Sequence, residues 1–184
     1  MSALISLHNK VFSGIERAFG NLLPTLARFT FAAVLLAYFW SSALTKLGSG
    51  LLGFLFPSDG AYVQIFPKAM EAVGYDSSQL GVTHWLIATA GMWAEFILPA
   101  LLVLGLFSRL AALGMIGFVV VQTLTDVYAH GASDPKTFGA WFDKIADSLI
   151  LDQRALWITL LLVILIKGGG QLSLDRWLSQ RSGQ

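Results

Sequence analysis

Apolar residues in this chain come in long runs, broken by short polar stretches, and neither the two-residue period of a strand nor the narrow stripe of a soluble helix describes them. Four runs approach or exceed the ~20 residues that a helix needs to cross a bilayer core. They fall at about 26–45 (LARFTFAAVLLAYFWSSALT), 83–107 (THWLIATAGMWAEFILPALLVLGLF), 110–128 and 150–166. Only Ser108 and Arg109 separate the second run from the third, so the two helices must form an antiparallel hairpin. Ahead of Pro24 the pattern changes. Over residues 1–23, Leu4, Val11, Ile15, Phe19 and Leu22 recur at helical spacing, with Lys10, Glu16 and Arg17 between them. That spacing fits a helix lying in the membrane interface and ending near Gly20–Asn21, and it also fits an ordinary first helix packed on the bundle.

The pattern predicts an all-α fold: one integral membrane domain, a four-helix bundle with an N-terminal interfacial helix and a tail over residues 167–184. Composition agrees. Of 184 residues, 55% are hydrophobic and 12% charged, about half the charge of an ordinary soluble domain. A formal net charge of +1, with no basic stripe, excludes nucleic acid as a partner. The absence of cysteine removes disulfides, thiolate nucleophiles, iron–sulfur clusters and thiol redox pairs. The first twenty residues lack the pattern of a cleaved signal peptide, so the first spanning helix is expected to serve as an uncleaved anchor.

Basic residues set the expected orientation. Lys10, Arg17, Arg28, Arg109, Lys167, Arg176 and Arg181 share the side of the N-terminus. Lys46, Lys68, Lys136, Lys144 and Arg154 lie on the other, diluted by acids. Both termini are therefore expected in the cytoplasm, and the loops after the first and third helices on the far side of a bacterial inner membrane. The first of these loops is rich in glycine and aromatics, with a short helix expected near Pro67–Val73. The second mixes Trp141 and Phe142 with acids.

Ionisable groups inside the hydrocarbon are costly, which makes each a functional candidate. Glu95 lies mid-way along the second helix. Gln122, Asp126 and His130, four apart, form one stripe on the third. Counted from the tight turn, Glu95 and Gln122 share a height near mid-bilayer, and Asp126 lies about 6 Å further out at 1.5 Å per residue. Lys46 on the first helix falls at the height of Asp126 and is a candidate partner for it. His130 and His84 end near the external surface. The resulting ladder suits proton exchange between a mid-membrane site and the outside. It also suits a quinone head group, with Trp40, Trp85 and Trp93 as aromatic walls. The competing structural reading makes these polar groups hydrogen-bonding glue between helices, and the aromatics interface anchors. A metal held by His84, His130 and Asp126 is conceivable from ligand type, whereas a bis-histidine heme has only those two surface histidines to draw on. Pro99, one turn past Glu95, is expected to kink the second helix, and Gly168–Gly170 to end the fourth.

Taken together, FWSSALTKL at the end of the first helix, AEFILPALLVLGLFSRLAALGM across the hairpin and KGGGQLSLDRWL near the C-terminus resemble the DoxX family of small four-helix membrane proteins. The resemblance implies a link to membrane thiosulfate:quinone oxidoreductases and other redox partnerships. It singles out Trp40, Lys46, Glu95 and Arg109, and it makes Asp175, in the closing SLD, a helix cap. The long first external loop, with Phe56–Pro57 and Phe66–Pro67, departs from the shortest members and suggests a lid or a specific partner.

The leading expectation is an accessory or quinone-facing subunit of an inner-membrane oxidoreductase system. Glu95 and Asp126 would carry the chemistry, and Trp40, Lys46, Trp93, Gln122 and His130 would hold the ligand, with quinone the one cofactor implied and no resident metal. Expected partners are the lipid bilayer and other membrane or periplasmic subunits. One alternative is a non-catalytic adaptor docking a partner through its external loops. Another is a carrier of small solutes or metal ions along the same ladder.

Overall fold

The computed structural model describes residues 2–182, and among these the regular structure is entirely helical. Helix α1 (Ser2–Phe19) precedes α2 (Leu23–Lys46), which begins at the Pro24 turn. Two short helices, α3 (Asp59–Ile65) and α4 (Pro67–Ala72), lie in the first loop. Then follow α5 (Val82–Leu104), α6 (Ser108–Ala129), α7 (Leu151–Lys167) and α8 (Leu174–Arg181). Three of these, α2, α5 and α6, are long and apolar enough to span a membrane. α7 has 17 residues, the lower limit for crossing. Its last turn reaches the α5–α6 turn and its first turn reaches Thr123 and Asp126, so it runs the length of α6. Four antiparallel helices thus make the bundle.

Its centre is apolar and partly aromatic. Phe31, Leu35 and Phe39 of α2 meet Leu102 of α5, Ala111, Ala112, Met115 and Val119 of α6, and Leu161 and Ile164 of α7. Phe39 packs edge-on against Phe118 and Trp157. Within lipid no hydrophobic force drives helices together, so close packing of small residues must do so. Gly114 illustrates this, since a Cβ there would sit 3.0 Å from Leu98 Cδ2.

The ends of the helices differ from the sequence expectation by a few residues, most clearly at the hairpin. The α5–α6 turn is Gly105–Phe107, not Ser108–Arg109. Gly105 is left-handed (φ +67°), and any Cβ there would lie 2.6 Å from both Arg28 Cζ and Ser173 Cβ, so only glycine fits. Arg28 reaches across from α2 and donates to the carbonyls of Leu102, Val103, Gly169 and Leu172. Leu102 and Val103 lie in the last turn of α5, where helix carbonyls run short of partners, and Gly169 and Leu172 lie in the non-helical link between α7 and α8. Asp175 completes the clasp by accepting from the N–H groups of Phe107 (2.7 Å) and Ser108 (2.8 Å). It therefore caps α6 rather than its own helix, which is capped by Ser173 through the Arg176 N–H. Residues 167–184 were expected to be a tail, but up to residue 182 they form a docked element that closes this end of the bundle.

α1 follows its predicted span and ends at Gly20–Asn21. None of its residues is buried. At the opposite end, the first loop is built rather than loose. Tyr62 and Met70 pack on Ala88 of α5, and the indoles of Trp85 and Trp93 donate to the carbonyls of Leu55 (2.8 Å) and Phe54 (2.9 Å). The expected helix near Pro67 is present, and α3 is an addition the sequence did not announce.

Two outcomes follow. Arg28→Leu leaves the carbonyls of Val103, Gly169 and Leu172 without a donor and should destabilise the bundle by about 2–4 kcal/mol, read as a lowered unfolding midpoint in mild detergent. The Asp76 carboxyl is held below its usual value by hydrogen bonds from the Ser78 hydroxyl, the Gln79 amide and the Ser78 N–H. A lowered folded value means this anchor contributes above the unfolded carboxylate value and is lost as pH falls through the lowered one. The protection factor of the Ser78 amide, its exchange rate relative to the free-peptide rate at the same pH, should therefore fall under acid conditions, and an Asp76→Asn chain should lose that pH dependence.

Candidate functional site

At the end of the bundle opposite the Arg28 clasp, three membrane helices and the first loop converge on a cavity of about 200 Å3. α2 contributes Ser42 and Lys46, α5 contributes Gly91 and Glu95, and α6 contributes Phe118, Gln122 and Asp126. His130 enters from just past α6, and Gln64 and Ile65 from α3. Lys46, Glu95, Gln122, Asp126 and His130, five residues singled out from the sequence, thus come together.

Glu95 and Lys46 form a buried ion pair, 3% and 6% exposed. The Lys46 ammonium donates to both carboxylate oxygens (3.1 and 3.0 Å) and to Ser42 Oγ (2.7 Å), and the Ser42 hydroxyl donates in turn to Glu95 (3.0 Å). The expected pairing of Lys46 with Asp126 is thereby overturned. Helical side chains point back toward the N-terminus of their helix, so the lysine's ammonium sits a turn deeper than its Cα, level with Ser42 and Glu95. Height counted from backbone positions placed it too far out.

Asp126 pairs with Arg154 of α7, whose other guanidinium nitrogen donates to Thr123 Oγ1 (2.8 Å). Arg154 is buried, although the sequence pattern counts it among the basic residues on the far side. An arginine inside the first turns of an apolar run needs a partner, and the acid on the neighbouring helix was available to supply it. Asp126 lies within a π-helical turn, Thr125–Ala129, a form that often marks functional sites. With one flank against Arg154, the carboxylate still borders the cavity.

Gln122 donates to the Tyr38 hydroxyl (3.1 Å), while its amide oxygen is buried and without a partner. His130 Nε2 lies 2.7 Å from the Gln64 carbonyl, a contact in which Nε2 must carry the proton. Other predicted residues lie elsewhere. Trp40 donates to the Phe96 carbonyl (3.2 Å) on α5, near the break that Pro99 makes in that helix's ladder. Trp93 holds the first loop at Phe54, and neither indole borders the cavity. His84 packs edge-on against Phe66. Among the described residues no three histidines or carboxylates group to hold a metal ion, so the set His84, His130 and Asp126 does not assemble.

A polytopic all-α membrane bundle with its charges paired inside it is the class that this architecture defines. The family model for DoxX matches residues 23–131, and the chain belongs to the DoxX family. The matched segment runs from the first turn of α2 past the end of α6 and so contains every cavity residue named above. α7, with Arg154, lies beyond it. No curated protein and no solved structure matches the chain.

The ion pair yields a test. Removing one partner strands a charge in an apolar bundle, at a typical cost of about 3–5 kcal/mol, whereas removing both is much milder. Lys46→Met and Glu95→Gln should each lower the unfolding midpoint markedly. The double variant should recover most of the loss, giving a coupling well above that of an exposed pair.

Proposed function

We propose that this protein is a quinone-facing or accessory subunit of a membrane oxidoreductase system. In this reading the cavity receives the ligand's head group. The single observation that carries it is the buried, unpartnered amide oxygen of Gln122 at a polar cavity of about 200 Å3. A buried acceptor without a donor costs free energy, and a ring hydroxyl of a reduced quinone supplies that donor. The Lys46 ammonium and the Ser42 hydroxyl also line the cavity, their protons already engaged by Glu95 and by each other. Phe118, Ile87 and Val121 provide the apolar faces that a ring needs. A bound quinone supplies two-electron, two-proton chemistry. The residues supply position: Glu95 and Asp126, each already held by a cation, border the cavity as acceptors for protons moving toward His130 and the loop surface.

The termini are proposed to be cytoplasmic, in a bacterial inner membrane. Burial sharpens the basis for this. Lys46 and Arg154 are sequestered in the bundle and no longer count as loop charges. Lys68, Lys136 and Lys144 remain on that side, against Lys10, Arg17, Arg109, Lys167, Arg176 and Arg181 on the other.

A second reading, a non-catalytic adaptor, draws on the loop tips, where Leu51, Phe56, Trp141 and Phe142 stand exposed.

Mass spectrometry of protein purified in mild detergent separates the two. Quinone should accompany the wild type and fall at least about tenfold in Gly91→Leu, which fills the cavity next to Ile65 while improving helix propensity. Gln122→Leu should act in the same direction. Stoichiometric protein partners with no quinone in any sample would leave the adaptor reading standing instead.

A further inference from the structure

Beside the polar cavity lies a second hollow, of about 450 Å3, between the α3–α4 segment and the outer end of α6. It is lined largely by apolar groups, including Phe66, Pro67, Leu124 and Tyr128, and shares three walls with the cavity: Ile65, Val121 and Thr125. Val121 and Leu124 are exposed on the outer surface of α6, so this hollow is open toward lipid. It spans about 20 to 30 Å from the Ser108 end of α6 at 1.5 Å per residue, the outer third of a hydrocarbon core ~30 Å thick.

Two polar contacts bridge the rim above it. His130 donates to the Gln64 carbonyl at 2.7 Å, and Lys68 Nζ to the Tyr128 carbonyl at 3.4 Å. They fasten the loop helices to the end of α6 on the water side and leave the lipid side open. A solute arriving from water would have to break them, whereas one arriving from the bilayer would not.

We infer that the ligand of the polar cavity carries an apolar tail, which lies in the α4–α6 groove and reaches the cavity sideways from the leaflet at the loop end. This rests on the head-group reading above and names the ligand's class: an amphiphile with a ring-sized polar head and a hydrocarbon chain. The larger apolar groove between α2 and α7, about 720 Å3 and lined by Leu26, Val34 and Leu160, does not serve the same head. The Tyr38–Gln122 hydrogen bond and the packing of Tyr38 on Trp157 stand between that groove and the cavity.

The test compares a tailless one-ring benzoquinone with its decyl-tailed counterpart, binding to the full chain in phosphatidylcholine nanodiscs. The readout is the ratio of the two affinities, so that partitioning of the tailed probe into lipid cancels between variants. Ala69→Trp and Leu124→Trp obstruct the groove from opposite walls, and Val34→Trp obstructs the α2–α7 groove. The ratio should fall about tenfold in both groove variants and hold in Val34→Trp, with the second groove variant guarding against misfolding of the first. A ratio that survives in Ala69→Trp and Leu124→Trp, or that falls only in Val34→Trp, overturns the inference while the head-group reading stands. Failure of both probes to bind wild type overturns the head-group reading, and this one with it.

Discussion

A charge inside a bilayer must find either an opposite charge or a set of backbone carbonyls, because no water is present to solvate it. Three cations of this chain lie buried in the bundle, and each meets that demand differently. Lys46 binds Glu95, Arg154 binds Asp126, and Arg28 binds the carbonyls of Leu102, Val103, Gly169 and Leu172. Between them these contacts join α2 to α5, α6 to α7, and α2 to the α5–α6 turn and the C-terminal segment. Apolar packing alone would let four helices slide or rotate past one another, since lipid tails compete equally for their surfaces. The polar contacts fix which faces meet and at what height.

The two ends of the bundle are therefore linked through geometry. At one end the Arg28–Asp175 clasp and the left-handed Gly105 set where α5 stops and α6 starts. Because the helices leave that turn in opposite directions with the same rise per residue, Gln122, fourteen residues past Ser108, lies about 7 Å further from it than Glu95, nine residues before Leu104. The cavity at the other end exists because this register holds. Its upper boundary comes from the first loop, which the indoles of Trp85 and Trp93 and the Tyr62–Met70 cluster hold onto α5.

The sequence carried the parts of this that depend on composition and periodicity. The four apolar runs and the hairpin follow from hydropathy and loop length, and the structure has them; the expected shared height of Glu95 and Gln122 does not hold, because the turn sits at Gly105–Phe107 rather than at Ser108–Arg109. What it did not carry is which charge meets which. Lys46 was placed opposite Asp126 because a backbone position is legible and the reach of a four-carbon stem is not. Arg154 looked like a flanking residue because the end of an apolar run does not say whether its arginine turns inward. The cap that Asp175 places on α6 joins residues far apart in the chain, and no local motif encodes it. Trp40 and Trp93 looked like cavity walls because aromatic content suggests them, yet an indole N–H at a membrane interface is satisfied as well by a carbonyl as by a ligand.

The pairing also bears on what the cavity suits. Lys46 and Glu95 neutralise each other, as do Arg154 and Asp126, so the polar wall has many hydrogen-bonding atoms and little uncompensated charge. An ion entering it would find each countercharge already engaged and would have to break a pair to gain one. A neutral head group with acceptors and hydroxyls needs only to add hydrogen bonds to groups that are already oriented, among them a Gln122 oxygen that has none. On that ground the arrangement favours a neutral ring-sized ligand over the carrier reading. It also gives Glu95 and Asp126 the character of held acceptors rather than free charges.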